Sequence, residues 1–183
     1  MVHEDGFCGE SGEETEQREC LGEWPGHCFG CSPKNPLGLQ LRFRRAAQGC
    51  VARCSVPDRL CGFDGLVHGG IIATLLDEAA AWAVIAHLGR LGLTREMTTR
   101  YFRPVPTNTE ILLKGSINSH DGHNAIVRSA IHAVDGTLLA ESESSWAFAK
   151  LSRIASVAGV EEKIVQQFLD DCRGSGVEGS VGP

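Results

Sequence analysis

The longest apolar segment of the chain runs from residue 69 to about residue 88 and predicts a buried helix. Its apolar side chains cover nearly the whole circumference of a helix rather than one stripe, so burial on most sides is expected. These side chains are Ile71, Ile72, Leu75, Leu76, Ala79, Ala80, Ala81, Ala83, Val84 and Ile85. A sheet that wraps around the helix is the simplest arrangement that buries it.

Segments with a strand-like pattern lie on both sides of this helix. Residues 37–46 and 50–57 predict a first extended pair, with Gly49 near the turn. Four further strands are predicted over 94–103, 109–119, 124–134 and 137–150. Asp-Gly pairs at 121–122 and 135–136 mark tight hairpin turns, so the last three strands form an antiparallel meander. The predicted fold class is α+β, with an antiparallel sheet wrapped around a long central helix.

The two ends of the chain differ in composition from its centre. The first 24 residues hold eight acidic residues and one arginine, a net charge of −7, whereas the whole chain carries −6. Four parts are therefore expected: an acidic, disordered arm over 1–26, one domain over 27–150, an extension over 151–173, and a flexible tail rich in Gly and Ser over 174–183. The extension contains a predicted helix over 160–172, with Ile164, Val165, Phe168 and Leu169 on one face.

Composition argues against several classes of protein. No uninterrupted apolar run reaches the roughly 18 residues of a membrane span, and no basic-then-apolar signal pattern opens the chain. The eight cysteines form about 4% of the chain, below the roughly 8–10% of a disulfide scaffold, so reduced thiols and a cytoplasmic location are expected. A net charge of −6 without a recognised reader motif argues against nucleic acid as a partner.

The start of the central helix carries candidate chemistry. His68, Gly69 and Gly70 precede the apolar residues, and Asp77 lies among them. Glycines at a helix N-terminus let a ligand approach backbone N–H groups that have no intrahelical partner, so a developing oxyanion can bind there. Asp77 then supplies a nucleophile or general base, because an unpaired carboxylate is expensive to bury for structure alone.

The glycines and the carboxylate of one helix are too far apart to act on one carbonyl. Seven positions at about 1.5 Å per residue place Asp77 about 10 Å from Gly70, whereas a reacting atom lies about 3 Å from both of its catalytic groups. Two copies of the helix, antiparallel across a two-fold axis, bring each Asp77 near the other chain's glycines. A homodimer with two composite sites is therefore expected.

Three stretches of the chain together resemble a known family. They are HGGIIATLLDEAAAW at 68–82, TTRYFRPVP at 98–106 and CFGCSPKNPLGLQLRF at 28–43. With the order of strand, long helix and antiparallel strands, they resemble the hotdog-fold acyl-CoA thioesterases over roughly residues 27–150. The similarity is greatest to the phenylacetic-acid-pathway-type (PaaI-like) members. The resemblance implies hydrolysis of acyl-CoA by a homodimer, commonly stacked into a homotetramer, with no metal and no cofactor beyond the coenzyme A of the substrate.

The resemblance also implies roles for individual residues. Asp77 matches the family's nucleophile or general base, and the amide of Gly69 or Gly70 matches the group that binds the thioester oxygen. His68 matches a histidine that supports the loop or the leaving group. Thr94 stands seven residues before the tyrosine of the next strand, where a Thr or Ser helps to position the water.

Two further features follow from the comparison with that family. Some members carry an asparagine six residues before the histidine, where this chain has Gly62, so that contact is missing or supplied differently. Coenzyme A brings phosphates, and Arg100 and Arg103, on the strand after the helix, are candidates to bind them. Solvated strand edges use arginines anyway, so a purely structural role for both remains open.

The cysteines near residue 30 allow a second interpretation. Cys28 and Cys31 have zinc-knuckle spacing, His27 precedes them, and Cys50 and Cys54 are further candidates. No second CxxC or HxxxH pair follows, so the expectation is no metal and unligated thiols. Glu78 is rotated by about 100° from Asp77 on the helix and is expected to face a different environment.

Other functions remain open at this point. A non-catalytic acyl-CoA-binding or regulatory hotdog domain would keep the pocket without the turnover. A hotdog hydratase or dehydratase is a third possibility. The individual residues also have structural alternatives: His68 as a helix cap, the glycines as a close-packing device, and Thr94 as an ordinary β-branched strand residue.

Overall fold

Residues 20–173 are described in the computed structural model of the chain, and they form one sheet, one small hairpin and three helices. The strands of the main sheet are β1 (Arg44–Ala46), β2 (Gly49–Ser55), β5 (Gly92–Tyr101), β6 (Glu110–His120), β7 (Asn124–Ala133) and β8 (Leu138–Phe148). The small hairpin consists of β3 (Cys61–Phe63) and β4 (Leu66–Val67). The helices are α1 (Gly69–Leu88), α2 (Leu151–Ala158) and α3 (Glu162–Arg173), and a 3-10 turn covers Asp58–Leu60.

The main sheet is antiparallel throughout, with the strand order β1-β2-β6-β7-β8-β5. The predicted meander is confirmed for β6, β7 and β8. Its turns are built as the Asp-Gly pairs predict, because Gly122 and Gly136 have φ of 86° and 87°. The strand that follows α1, β5, is placed beside β8 and forms one edge of the sheet.

The central helix α1 covers the residues that the sequence predicts and is packed against the sheet. Its middle turns are fully buried, with Leu75, Leu76 and Ala79 at 0% exposure. Gly89 ends the helix in the left-handed conformation, at φ 59°, and its N–H donates to the Ile85 carbonyl. The predicted fold class, a sheet wrapped around one long helix, is confirmed.

Length and composition alone would allow α1 to cross a membrane. It has 20 residues with a mean hydropathy of 1.6 in its most apolar window. However, 56% of that window is buried inside the fold. A core helix in a protein that spans no membrane can have the same length and mean hydropathy. Packing against the sheet therefore accounts for the apolar sequence of α1.

The first predicted strand is shorter than the pattern suggests. Only Arg44–Ala46 pairs with β2, whereas residues 37–43 follow another course. The amides of Leu39 and Leu41 donate to the carbonyls of Phe29 and Gly30, at 2.8 and 2.9 Å. The preceding loop therefore satisfies the backbone groups that a strand would have presented to β2.

The C-terminal extension forms two helices where the sequence predicts one. Gly159, at φ 64°, separates α2 from α3. In α3, Val165, Phe168 and Leu169 are buried as predicted, whereas Ile164 is 41% exposed. Phe168 makes edge contacts with Trp24 and Trp82, at ring-centroid distances of 5.2 and 5.7 Å. The extension therefore packs against α1 rather than standing apart from the core.

The expected N-terminal arm is described only in its last residues. Leu21, within that arm, is buried, and its N–H donates to the carbonyl of Phe43. Together with Trp24, this contact joins residues 20–26 to the core. The rest of the expected arm, residues 1–19, and the expected tail, residues 174–183, lie outside the described residues.

Gly115 of β6 lets the sheet approach α1 most closely. A Cβ added at this position would overlap the Ala79 carbonyl oxygen of the helix and lie 3.1 Å from the Ala83 Cβ. We predict that Gly115→Ala lowers the free energy of unfolding by about 1–3 kcal/mol, because a rigid helix backbone must shift to admit the methyl group. Urea unfolding measures this change. Ser119→Ala, at an exposed position of the same strand, is the control and should change stability little.

Candidate functional site

The two glycine amides at the N-terminus of α1 differ in their hydrogen bonding. His68 caps the helix, and its Nδ1 accepts a hydrogen bond from the Gly70 amide at 2.9 Å. Within residues 20–173, by contrast, the Gly69 amide has no hydrogen-bond acceptor. Of the two amides that the sequence offers for an oxygen ligand, that of Gly69 is therefore the open one.

Tyr101, from which the position of Thr94 is counted in the sequence, also lies at this end of the helix. The Tyr101 hydroxyl donates to the Gly69 carbonyl at 3.2 Å. This bond ties the last residue of β5 to the first residue of α1. Tyr101 is the one tyrosine in the chain, and that is the only sequence signal that could have drawn attention to it.

A cavity of about 520 Å³ opens beside the first turn of α1. Its walls include Gly62, His68, Gly69, Tyr101 and Arg103. A Cβ at Gly62 would lie 3.2 Å from the His68 Cα, so the glycine leaves little room for a larger residue. The position at which some resembling proteins carry an asparagine is here used for close packing against the histidine.

Asp77 faces β5 and binds one of its side chains. The Thr94 hydroxyl donates to Asp77 Oδ1 at 2.7 Å, so the structure brings together these two residues of the sequence prediction. Burial raises the pKa of the Asp77 carboxyl, and the hydrogen bond from Thr94 opposes that increase. An aspartate with a raised pKa beside a hydroxyl is suited to accept a proton from water.

A β-bulge in β5 sets the direction of the Thr94 side chain. Thr94 pairs with Trp146 of β8 and Glu96 with Ser145, so Arg95 is an extra residue in the register. Such a bulge re-aims the side chains on one side of it relative to the other. Thr94 consequently reaches α1 at Asp77, and the far end of the same strand reaches α1 at Gly69.

One chain keeps Asp77 and the open amide apart. Gly69 and Asp77 are eight positions apart on a continuous helix, which corresponds to about 12 Å along the axis. Asp77 and the Gly69 carbonyl both accept hydrogen bonds from β5, whose outer edge pairs with no other strand among residues 20–173. The described chain therefore presents two half-sites along one open edge.

The two arginines predicted to bind phosphate lie in different settings. Arg103 lines the cavity at the helix N-terminus and donates to the Leu138 carbonyl at 3.1 Å. Arg100 forms an exposed ion pair with Glu141 across β5 and β8, at 3.3 Å, and is not part of the cavity wall. The structure thus brings Arg103 to the cavity but not Arg100.

A cluster of Cys28, Cys31 and Glu78 lies on another side of α1. Their ligand atoms all lie within 4.8 Å of one another, and Cys28 Sγ is 3.0 Å from Glu78 Oε1. Glu78 does face a different environment from Asp77, as expected. The alternative that Cys50 completes a site with the CxxC pair is not supported, because its thiol instead donates to the Ala79 carbonyl at 3.2 Å.

The groups of this cluster affect one another's protonation. Hydrogen bonding, first from Cys31 and then from Glu78 and backbone amides, lowers the pKa of the Cys28 thiol to about 5, against the opposing effect of burial. The interaction with Cys28, together with burial, raises the pKa of Cys31. Burial, followed by the nearby Cys28, raises the pKa of Glu78 to about 8. Sequence reasoning noticed the CxxC spacing but missed Glu78, although the burial cost that singled out Asp77 applies equally to Glu78.

Residues 64–140, which include the helix N-terminus, Asp77 and Thr94, match the model of the thioesterase superfamily. This segment is similar to the thioesterase superfamily. The resemblance inferred from the HGG-to-Asp segment is therefore confirmed, and the match supports thioester hydrolysis at the level of the family.

Curated proteins that are similar to this chain match over parts of their length. An uncharacterized protein of Schizosaccharomyces pombe is 36% identical over 61 residues, which are 33% of this chain and 35% of that protein. The acyl-coenzyme A thioesterase THEM4 of Mus musculus is 27% identical over 92 residues, which are 50% of this chain and 39% of that protein. The chain thus spans well under half of the length of either curated relative.

Solved structures share the hotdog thioesterase fold. One thioesterase superfamily protein matches with a TM-score of 0.62 and 28% identity, over 66% of this chain and 60% of that chain. The Escherichia coli PaaI protein matches with a TM-score of 0.56 and 16% identity, over 61% and 81%. A hypothetical thioesterase of Streptococcus pneumoniae, solved with coenzyme A, matches with a TM-score of 0.54 and 19% identity, over 57% and 81%. At these identities, the last two comparisons show the fold alone.

The hydrogen bond from Thr94 sets the protonation of Asp77, and its removal has a definite sign. We predict that Thr94→Val raises the pKa of Asp77 further, because the bond that opposes the effect of burial is lost. Thr94→Ser keeps a hydroxyl and should leave the pKa close to its value in the unaltered protein. Carboxyl ¹³C NMR titration of Asp77 measures both variants. An unchanged or lower pKa in Thr94→Val would contradict the assignment of this bond.

Proposed function

We propose that this protein hydrolyses acyl-CoA thioesters at two composite sites of a homodimer. Asp77 of one subunit acts together with the Gly69 amide of the other. The observation that carries the proposal is the pair of half-sites on α1, an aspartate bound by Thr94 and an open helix N-terminal amide. The thioester substrate is further supported by relatives named as an acyl-coenzyme A thioesterase and as a thioesterase bound to coenzyme A.

The proposed reaction needs a base, a positioned water and a donor to the carbonyl oxygen. Asp77, as general base, takes a proton from water held near Thr94, and the hydroxide formed adds to the carbonyl carbon. The Gly69 amide donates to the oxygen as negative charge develops on it. The C–S bond then breaks, coenzyme A leaves as a thiol that takes up the proton, and the free acid remains. Direct attack by Asp77 through an anhydride gives the same products and remains the alternative course.

The dimer is part of the proposal because the described chain separates the two half-sites. β5 supports it, since this ten-residue strand forms one edge of the sheet, and the backbone groups on its outer side pair with no strand among residues 20–173. Exposed apolar side chains lie on or next to this strand, including Leu93 at 51% and Phe102 at 48% exposure. Two chains that meet here with antiparallel α1 helices would cover both features. Stacking of two such dimers into a homotetramer is compatible with this arrangement.

The cavity at the start of α1 is proposed to receive the coenzyme A part of the substrate. It is open to the surface and has Gly69 and Arg103 in its wall. Arg103 is therefore the better candidate for phosphate contact than Arg100, whose guanidinium already pairs with Glu141. The reaction as proposed uses no metal and no cofactor, and the free thiols fit a reducing compartment such as the cytoplasm.

Removal of the Asp77 carboxylate tests the proposed base. We predict that Asp77→Asn lowers kcat for thiol release from acyl-CoA on the order of 10²–10⁴-fold, because general-base assistance is lost. Saturable binding of acyl-CoA should persist, since the fold and the cavity remain. Asp171→Asn, at an exposed position of α3, is the control and should keep full activity. A wild-type protein that binds acyl-CoA but releases no thiol across short, medium, long and aryl chains would favour the non-catalytic binding alternative.

The amide of Gly69 can be removed without altering the helix. Gly69 is the first residue of α1, where proline is tolerated, and His68 before it is already extended. We predict that Gly69→Pro, which lacks the N–H, lowers kcat roughly 10²–10³-fold. Gly69→Ala keeps the N–H and should keep most of the activity, because the nearest atom to an added Cβ lies 4.0 Å away.

Mixing the two inactive variants tests whether the site is shared between chains. Dimers formed from one Asp77→Asn chain and one Gly69→Pro chain contain one intact composite site. Equal mixtures should therefore recover about a quarter of the wild-type activity after subunit exchange. If both groups act within one chain, the mixture stays inactive, and the composite site is wrong even though thioester hydrolysis stands.

A further inference from the structure

The cluster of Cys28, Cys31 and Glu78 has no role in the proposed hydrolysis. We propose that these three side chains form a zinc site that fastens the N-terminal loop to α1. The proposal departs from the expectation of unligated thiols, and it stands on the structure of the cluster rather than on the proposed function.

The three side chains converge as ligands of one ion would. Their sulfur and oxygen atoms all lie within 4.8 Å of one another. Ligands bound to one tetrahedral zinc, at about 2.3 Å for sulfur and about 2.0–2.2 Å for oxygen, lie about 3.5 Å apart. The two cysteines come from one turn and the glutamate from a helix 50 residues away in the sequence, so the fold and not local spacing assembles the group.

Gly30, between the cysteines, serves the site in two ways. Its amide donates to Cys28 Sγ at 3.2 Å, a contact that favours the thiolate form that zinc binds. A Cβ at this position would overlap the Glu78 side chain, so only glycine leaves room for the carboxylate to reach the sulfurs. The absence of a side chain at Gly30 thus lets the turn accommodate the Glu78 carboxylate.

The donor set favours zinc over magnesium and calcium. Two thiolates favour a soft or borderline metal over magnesium and calcium, which prefer oxygen. Zinc takes thiols in their deprotonated form, so its binding releases the protons that the free ligands carry. These protons pass to solvent, and the metal offsets most of the negative charge left on the ligands.

Space for a fourth ligand lies next to the cluster. An apolar cavity of about 220 Å³ has Cys28, Cys31 and Glu78 in its wall, together with Trp24 and Trp82. A water molecule on this side would complete the tetrahedron of a three-ligand site. The loop that zinc would fasten also carries the Phe29 and Gly30 carbonyls that hold residues 39 and 41 in place.

Cobalt substitution and zinc competition test the site in the whole, metal-free, reduced protein. We expect one Co²⁺ per chain, with thiolate-to-cobalt charge-transfer absorption and the intense visible bands of tetrahedral Co²⁺. Zinc, added against a chromophoric chelator, should displace cobalt at the same stoichiometry and raise Tm. A protein that takes up neither ion, or a cobalt spectrum without charge-transfer absorption, overturns the proposal.

Variants assign the ligands. Cys28→Ser and Cys31→Ser should each abolish the charge-transfer signature or weaken zinc binding by more than 100-fold. Glu78→Gln should weaken it about 10–100-fold while the sulfur signature remains. Cys61→Ser and Cys54→Ser remove thiols outside the cluster and should bind zinc as the unaltered protein does. Equal losses in these control variants, or a Cys28–Cys31 disulfide that re-forms while zinc is present, overturn the site.

Discussion

The burial of α1 on most of its circumference is the constraint on which the rest of the structure depends. A helix with fully buried Leu75, Leu76 and Ala79 needs partners on several sides, and the antiparallel sheet supplies the largest of them. Gly115 admits the helix backbone directly against β6. The N-terminal segment and α3 complete the enclosure through Trp24 and Phe168, whose rings contact each other edge to face.

Within this enclosure, the helix carries two adjacent carboxylates with different surroundings. Asp77 points to β5 and takes a hydrogen bond from Thr94, whereas Glu78 points to the N-terminal loop and meets Cys28. Burial raises the pKa of both carboxyl groups, and their partners act in opposite directions: the Thr94 hydroxyl lowers the pKa of Asp77, while Cys28 raises that of Glu78. One turn of helix thus holds one carboxyl group that faces a hydroxyl donor and another that faces a pair of thiols.

Sequence reasoning found the parts of the fold that repeat with a regular period. The bounds of α1 and the meander from β6 to β8 follow from helical and alternating patterns together with Asp-Gly turns. It failed for residues 37–43, which alternate like a strand. Two of their backbone amides donate to the carbonyls of Phe29 and Gly30 in a loop instead of to a neighbouring strand. It also missed α2, because eight residues give too short a pattern to separate from the end of a strand.

The candidate site divides in the same way. A motif of fixed spacing predicts Asp77, Thr94 and the glycines as site residues, and the structure brings Thr94 to Asp77. The sequence does not show which glycine amide is open, because this depends on the position of the His68 imidazole in the structure. Glu78 was missed as a partner of the CxxC pair because contacts across 50 residues leave no mark on a local pattern.

The bulge at Arg95 also explains why a strand can bind its helix at two points an odd number of residues apart. In a regular strand, Thr94 and Tyr101, seven positions apart, would point to opposite faces of the sheet. The extra residue turns this odd separation into an even one, so both side chains reach α1. To keep both contacts, the number of positions from Thr94 to Tyr101 must be even once the extra residue of the bulge is left out. A chain that loses one residue between them, or gains one, would have to lose the bulge or add another in order to keep both contacts.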